Sequence, residues 1–173
     1  MDINYSTTFH GSSEDGTVID NDDVNGEYCF KVTTDGVDIS LKNLTIRDFK
    51  NSAGPALYTY ERDNKVVMEN VTVNSCYVND VNYDGAVFIF HDAGAGSNDS
   101  IVIKNCTFSD NYSADDSYGS ALTVQSYSYD YDYPILIEST TFDNNDGVGS
   151  YDYGAVYLRN GHSAVVRNCI FKN

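Results

Sequence analysis

The chain has 173 residues, of which 26 are acidic and 10 are basic, so its formal net charge at pH 7 is −16. This excess of negative charge argues against binding to nucleic-acid backbones or to anionic lipid surfaces, both of which require cationic side chains. Asp accounts for 21 of the acidic residues, and it occurs with 18 Asn and 13 Gly residues. These residue types favour turns and disfavour helix interiors, so the composition indicates a turn-rich, all-β, soluble protein.

The N-terminal part, residues 1–36, is less regular than the rest of the chain. Residues 17–20, 28–32 and 37–41 have the composition of strands, and we expect them to be the three strands of a first, imperfect coil. The first residues lack a basic start followed by an apolar run, so the sequence shows no signal peptide. No apolar stretch approaches the ~20 residues of a membrane span.

The rest of the chain, residues 37–173, repeats one pattern five times, at spacings of 27, 35, 34 and 29 residues. The copies are Ile39-Ser-Leu-Lys-Asn-Leu-Thr-Ile46, Val66-Val-Met-Glu-Asn-Val-Thr-Val73, Ile101-Val-Ile-Lys-Asn-Cys-Thr-Phe108, Ile135-Leu-Ile-Glu-Ser-Thr-Thr-Phe142 and Ala164-Val-Val-Arg-Asn-Cys-Ile-Phe171. Apolar residues alternate with mostly polar ones, which predicts a strand with one buried face. The alternation changes phase at a one-residue corner, and the corner residues are Asn43, Asn70, Asn105, Ser139 and Asn168.

The corner predicts how the repeats assemble. Asn tolerates the left-handed backbone conformation, and its amide can bond to the Asn above and below in a ladder. One coil cannot bury its own apolar face, but coils that stack along an axis bury each other's. We therefore predict a single domain, residues 1–173, that forms a single-stranded right-handed parallel β-helix of about five or six rungs. A β-sandwich is the alternative, but it would not explain the recurring corner.

A second motif lies between the repeats, as Gly54-Pro-Ala-Leu-Tyr, Gly85-Ala-Val-Phe, Gly119-Ser-Ala-Leu-Thr and Gly154-Ala-Val-Tyr. We expect two aliphatic columns to point inward from this strand: Leu57/Val87/Leu122/Val156 and Thr59/Ile89/Val124/Leu158. The columns between them, Tyr58/Phe88/Thr123/Tyr157 and Tyr60/Phe90/Gln125/Asn160, should then point outward. Such aromatic residues either stabilise the sheet face or offer a platform for sugar rings, and Tyr58, Phe88 and Tyr157 are therefore candidate ligand-binding residues.

The loops hold most of the acidic residues and tyrosines. In residues 126–133, tyrosines alternate with Ser and Asp, and an extended segment would place the phenols on one side and the carboxylates on the other. Tyrosine is common in recognition loops because it is rigid and amphipathic, whereas a solvated loop is the simpler interpretation. The candidate binding residues in the loops are Tyr127, Tyr129, Tyr131, Tyr133, Asp130, Asp132, Tyr151 and Tyr153.

Three further features concern metals, thiols and glycans. Asp143 and Asp146 resemble a Ca²⁺ loop only superficially, because the EF-hand spacing and its distal Glu are missing, so Ca²⁺ is a weak candidate cofactor and no other is indicated. The four cysteines do not share a column at disulfide distance, and we expect small buried thiols. Asn-x-Ser/Thr sequons occur at Asn4, Asn43, Asn70, Asn98, Asn105 and Asn111. Of these, Asn4, Asn98 and Asn111 could carry sugar if the protein is secreted.

Parallel β-helices include pectate lyases and polygalacturonases, so an enzyme must be considered. A glycoside hydrolase needs two carboxylates at a defined separation, which 21 Asp residues satisfy somewhere by chance. The sequence shows no convincing set of catalytic residues. A polysaccharide-active lyase or hydrolase therefore remains the alternative to a non-enzymatic protein.

The repeats resemble two groups of surface proteins. Phe108-Ser-Asp-Asn111 and Phe142-Asp-Asn-Asn145 match the Phe-x-x-Asn element of chlamydial polymorphic membrane protein repeats, and the Gly-Ala motifs look like degenerate copies of their Gly-Gly-Ala-Ile element. Lys42-Asn-Leu-Thr-Ile46 and Lys104-Asn-Cys-Thr-Phe-Ser-Asp-Asn111 are similar to repeats of the adhesin-like surface proteins of methanogenic archaea. The resemblance covers residues 17–173 and departs at Val73-Asn-Ser-Cys76, which lacks both Phe and Asn.

This resemblance implies a surface-exposed, extracellular adhesion module that binds a glycan or a surface protein of another cell. The chain ends directly after a corner, and we expect it to be a fragment of a longer surface protein. A structural spacer, or a subunit that stacks end to end into a filament, is a further alternative. We expect no nucleic-acid partner and no direct insertion into a membrane.

Overall fold

The computed structural model describes residues 1–13, 16–22, 26–79, 85–91, 100–114, 118–126, 133–147, 154–159 and 162–173. Within them the regular secondary structure consists of parallel strands. The strands are β1 (Asp2–Ile3), β2 (Thr7–His10), β3 (Val18–Asp20), β4 (Phe30–Val32), β5 (Ile39–Arg47), β6 (Lys50–Asn51), β7 (Leu57–Thr59), β8 (Lys65–Asn74), β9 (Tyr77–Val78), β10 (Val87–His91), β11 (Ser100–Lys104), β12 (Thr107–Ser109), β13 (Tyr112–Ser113), β14 (Leu122–Ser126), β15 (Tyr133–Glu138), β16 (Thr141–Asp143), β17 (Asp146–Gly147), β18 (Val156–Arg159), β19 (His162–Arg167) and β20 (Ile170–Lys172).

These strands form three sheets that run along one axis. Six strands stack in the order β1-β4-β7-β10-β14-β18, and four short strands stack in the order β17-β13-β9-β6. The third sheet has ten strands, because β5 and β8 continue through the corner while the first rung and the three later rungs divide there into two strands each. Every pairing is parallel and joins one rung to the next, as expected of a parallel β-helix.

The strands divide into six successive rungs. The four middle rungs, which run from β4 to β17, each contribute strands to all three sheets. About four turns are therefore complete, against the five or six rungs predicted. The N-terminal prediction needs correction, because residues 17–20 and 28–41 belong to different rungs. The first rung is made by β1, β2 and β3, and it pairs in register with the second, for example Phe9 with Leu41 and Ile19 with Ile46.

The aliphatic columns predicted from the repeats form the core. Pairing places Ile39 beside Val66 and Leu44 beside Val71, and all four side chains are buried. Each such side chain contributes about 1.5–3 kcal/mol through the apolar surface it removes from water. The last rung shows that stacking is the cause, because Val166 is 45% exposed whereas Ile137, in the same column with a rung on each side, is fully buried.

The predicted corner conformation is confirmed, and the predicted asparagine ladder is shown between Asn43 and Asn70 only. Asn43, Asn70, Asn105, Ser139 and Asn168 all adopt the left-handed conformation, with φ between 50° and 54°. The amide of Asn70 donates a 2.9 Å hydrogen bond to Oδ1 of Asn43, so these two residues make a ladder contact. The cysteine prediction is confirmed in part: all four thiols are free, and Cys29, Cys76 and Cys106 are buried, but Cys169 is only half-buried. Burial raises the pKa of both Cys29 and Cys76 to about 12.

A second left-handed corner lies five residues after the first and was not predicted. Its residues are Asp48, Ser75, Asp110 and Asn144. In two rungs a buried asparagine follows it: Asn111 donates from Nδ2 to Oδ1 of Asn145 at 2.8 Å and to the Val73 carbonyl at 3.0 Å. This internal ladder gives the Phe-x-x-Asn element its structural role, and because Asn111 is fully buried its sequon is inaccessible in the folded chain.

Glycine of the second motif is required by close packing between rungs. A Cβ on Gly85 would lie 2.3 Å from the Gly119 carbonyl oxygen in the next rung, and one on Gly119 would lie 2.9 Å from the backbone nitrogen of Tyr157 in the next rung. Both distances are too short for a side chain, so the glycines allow the next rung to approach.

The outer position before the first corner carries charges that alternate from rung to rung. Its residues in order are Lys42, Glu69, Lys104, Glu138 and Arg167. Ion pairs link Lys42 to Glu69 at 2.9 Å, Lys104 to Glu138 at 3.6 Å, and Arg167 to Glu138 at 2.7 Å. We call these five residues the charge column.

Candidate functional site

The six-stranded sheet presents a group of stacked aromatic rings on its outer side. Tyr58 stacks on Phe88 with ring centroids 5.4 Å apart, and Tyr28 lies against Tyr58 at 5.3 Å. Tyr60 stacks on Phe90 at 4.4 Å and is 44% exposed. We call Tyr28, Tyr58 and Tyr60 the tyrosine face.

A lysine ammonium lies on this face. Lys31 is paired in register with Tyr58, and its Nζ lies 5.1 Å from the ring centroid of Tyr28 and 5.8 Å from that of Tyr58. These are cation–π distances, which favour a cation over the electron-rich ring. The tyrosine face thus combines apolar ring surface with one positive charge.

Two carboxyl groups lie near the same face. Burial, the neighbouring charge of Asp35 and a hydrogen bond to Asp35 raise the pKa of Glu61, and the charge of Lys31 opposes that shift. Asp35 also accepts a 2.7 Å hydrogen bond from the backbone N–H of Arg62, which holds it in place. The two carboxyl groups are therefore neighbours beside Lys31.

The predicted outward columns are confirmed in register, with two corrections. Phe88 pairs with Tyr58 on one side and Thr123 on the other, but it is only 2% exposed because the rings of Tyr58 and Tyr60 pack on it, so it cannot be a contact surface. Gln125 pairs with Arg159 and not with Asn160. Tyr157 does occupy its predicted position and stacks on Tyr118 at 4.4 Å.

The loop candidates divide into two groups. Tyr133 is the first residue of β15 and shares the inner face with Ile135 and Ile137, because side chains alternate along a strand. It is 2% exposed, so its predicted place among exposed loop phenols is wrong. The other predicted loop residues, Tyr127, Tyr129, Asp130, Tyr131, Asp132, Tyr151 and Tyr153, and the sequon at Asn98, lie outside the described residues.

The four-stranded sheet carries a group of residues that the sequence analysis missed. Lys50, Tyr77, Tyr112 and Asp146 occupy one outward column, one residue from each rung. The rings of Tyr77 and Tyr112 stack at 5.2 Å, and Nζ of Lys50 lies 4.4 Å from the Tyr77 centroid. We call these four residues the lateral column; each stands two residues after the second corner, which is the signal that would have revealed it.

The Ca²⁺ candidates already have partners within the protein. Nζ of Lys172 lies 2.7 Å from Asp143, and Oδ1 of Asp146 accepts a 2.9 Å hydrogen bond from the N–H of Gly147. In the part of the chain that the structure describes, no three His, Cys, Asp or Glu side chains are grouped as a metal site requires.

Comparison of the chain with family models, with curated proteins and with solved structures gives no match. Among the described residues, no helix has the length and apolar character to cross a membrane.

Proposed function

We propose that this chain is a non-enzymatic recognition module of a cell surface, and that the tyrosine face binds saccharide rings of a partner cell. The observation that carries the proposal is the ordered array of outward aromatic rings, in which Tyr60 keeps 44% of its surface exposed. The C–H face of a sugar ring packs on such a flat surface, and hydroxyl groups of tyrosine and sugar remain available for hydrogen bonds. Location at a cell surface rests on the resemblance of the repeats alone.

The rigidity of the platform supports recognition. Tyr58 and Tyr60 lie on and directly after strand β7, and their rings are held by Phe88 and Phe90. Side chains that are ordered before binding lose little conformational entropy when a ligand arrives. A stacked array of this kind therefore suits a weak, repetitive ligand such as a glycan.

The carboxyl pair of Asp35 and Glu61 is the feature that bears on the enzymatic alternative. The carboxyl groups of glycoside hydrolases stand about 5–5.5 Å apart in retaining enzymes and about 6.5–9.5 Å apart in inverting ones. Asp35 and Glu61 lie near each other and near Lys31, so substitution of either carboxyl group tests directly for hydrolysis.

The test is a glycan array followed by titration of the best glycan, with Tyr60→Ala as the variant and Tyr5→Ala as its control. Tyr5 is 82% exposed and lies outside the tyrosine face, so its loss removes an equal phenol without touching the proposed site. We expect Tyr60→Ala to weaken the Kd about tenfold, equivalent to about 1.4 kcal/mol, and Tyr5→Ala to leave it unchanged.

Reducing ends are assayed in the same samples. Equal effects of the two variants, or no glycan bound, would refute the proposal. Release of reducing ends that stops in Asp35→Asn or Glu61→Gln would establish the enzyme instead.

A further inference from the structure

We propose that the lateral column binds an arginine side chain of a protein partner, between the ring of Tyr112 and the carboxylate of Asp146. This site lies on the four-stranded sheet and is independent of the tyrosine face. The argument rests on the order of the four residues in the column, which differs at its two ends.

At one end of the column the chain supplies its own cation. Lys50 belongs to the rung before Tyr77, and its ammonium lies 4.4 Å from the Tyr77 ring centroid. The other face of Tyr77 is covered by Tyr112, at a centroid distance of 5.2 Å and an interplanar angle of 21°. The stack of two rings is therefore capped by a positive charge on the Tyr77 side.

At the other end the corresponding position holds an aspartate. Asp146 is paired in register with Tyr112 and is exposed. Its side chain is much shorter than a phenol, so the outer half of the Tyr112 ring face has no neighbour from its own column. A cation placed there would lie over the ring, as Lys50 lies over Tyr77, and beside a carboxylate as well.

The charge of Asp146 is also available. Oδ1 accepts the N–H of Gly147, but a carboxylate has about four acceptor positions, and in the described part of the chain Asp146 forms no ion pair. The net charge of −16 adds a long-range field that attracts cationic partners to the surface.

The geometry favours arginine over lysine. A guanidinium is planar, so it can lie flat on the Tyr112 ring while its N–H groups donate to Asp146 along its edge. An ammonium can make either contact well but presents no flat surface to the ring. The partner is therefore inferred to present an exposed arginine.

The experiment titrates the whole chain, labelled with ¹³C in its tyrosine rings, with N-acetyl-L-argininamide and follows the ring resonances of Tyr112 by NMR. The matched probe is the neutral isostere N-acetyl-L-citrullinamide. We expect saturable shifts of Tyr112 with the arginine compound, with a Kd on the order of 10 mM because a single exposed cation–π contact is weak. The citrulline compound should give no saturable shift.

Three variants distinguish this site from general attraction to an acidic protein. Tyr112→Phe keeps the ring and should retain binding, whereas Tyr112→Leu should remove it. Because both variants lack the Tyr112 resonances, binding to them is followed at the ring of Tyr77, which stacks on residue 112. Asp146→Asn should weaken the Kd about threefold or more, while Asp2→Asn, the same charge change on an exposed residue of the six-stranded sheet, should not change it.

Retention of binding in Tyr112→Leu, equal effects of the two aspartate variants, or equal shifts with citrulline would overturn the proposal. Thermal melting of each variant confirms that it folds, and the outward position of both side chains makes a folding defect unexpected.

Discussion

Removal of the buried amide of Asn111 provides the sharpest test of how the rungs are held together. Its Oδ1 accepts a 3.0 Å hydrogen bond from the backbone N–H of Cys76, and its Nδ2 donates to Val73 and Asn145. In Asn111→Ala the N–H of Cys76 is left without this partner in a fully buried position.

The expected loss can be worked from these three bonds. A buried donor left unsatisfied costs about 1–3 kcal/mol, and each of the two other bonds contributes about 1 kcal/mol. We therefore expect Asn111→Ala to lower the free energy of unfolding by about 3–5 kcal/mol. With a urea m value of about 2 kcal/mol per molar, the midpoint should fall by about 1.5–2.5 M.

Two further variants separate the hydrogen bonds from the change in volume. Asn111→Asp keeps the size but directs a carboxylate oxygen at two acceptors, the Val73 carbonyl and Asn145 Oδ1, so it should be at least as destabilising as alanine. Asn173→Ala, at the exposed C-terminal asparagine, should change stability by no more than about 0.5 kcal/mol. Urea unfolding followed by circular dichroism measures all three, and a loss below about 1 kcal/mol in Asn111→Ala would refute the reasoning.

Three other predictions follow from the fold. The hydrogen bond from Arg167 holds the pKa of Glu138 below its ordinary value of 4.5, so its stabilisation is present above pH 4.5 and lost as the pH falls through the lowered value. Glu138→Gln should accordingly lower the urea midpoint slightly at pH 7 and low salt but not at pH 2; an equal effect at both would contradict this. Burial raises the pKa of the Cys76 thiol and shields it from reagents, so iodoacetamide should modify the half-buried Cys169 first and Cys76 only after unfolding, as peptide mass mapping would show. Gly119→Ala should cost about 1–3 kcal/mol in urea unfolding, because its Cβ would meet backbone; a neutral result would show that the rungs can separate there.

The fold was predictable where apolar residues alternate over several positions. Aligned apolar positions predict both the strand and its register, because a slip of one residue would turn every side chain to the other face. One such column is Ile39, Val66, Ile101 and Ile135. The corner was predictable because asparagine recurs at one fixed position relative to those columns, and asparagine tolerates the left-handed backbone conformation that a corner requires.

The site was less predictable, for physical reasons. The strands of the four-stranded sheet have two residues each, too few for alternation to be detected, and their outward column holds Lys, Tyr, Tyr and Asp. The burial of Phe88 depends on rings from an adjacent rung, about 30 residues away in the chain, and on the angle at which they stack. No local pattern reports such packing.

The charge column bears on a hazard that comes with homologous repeats. Five segments with nearly interchangeable apolar faces could pair with the wrong copy while the chain folds, and the core alone would scarcely distinguish the error. If one copy were skipped, Lys42 would come to lie beside Lys104, and Glu69 beside Glu138. The alternating charges therefore favour correct assembly, because each rung attracts its proper neighbour and repels the rung two places away.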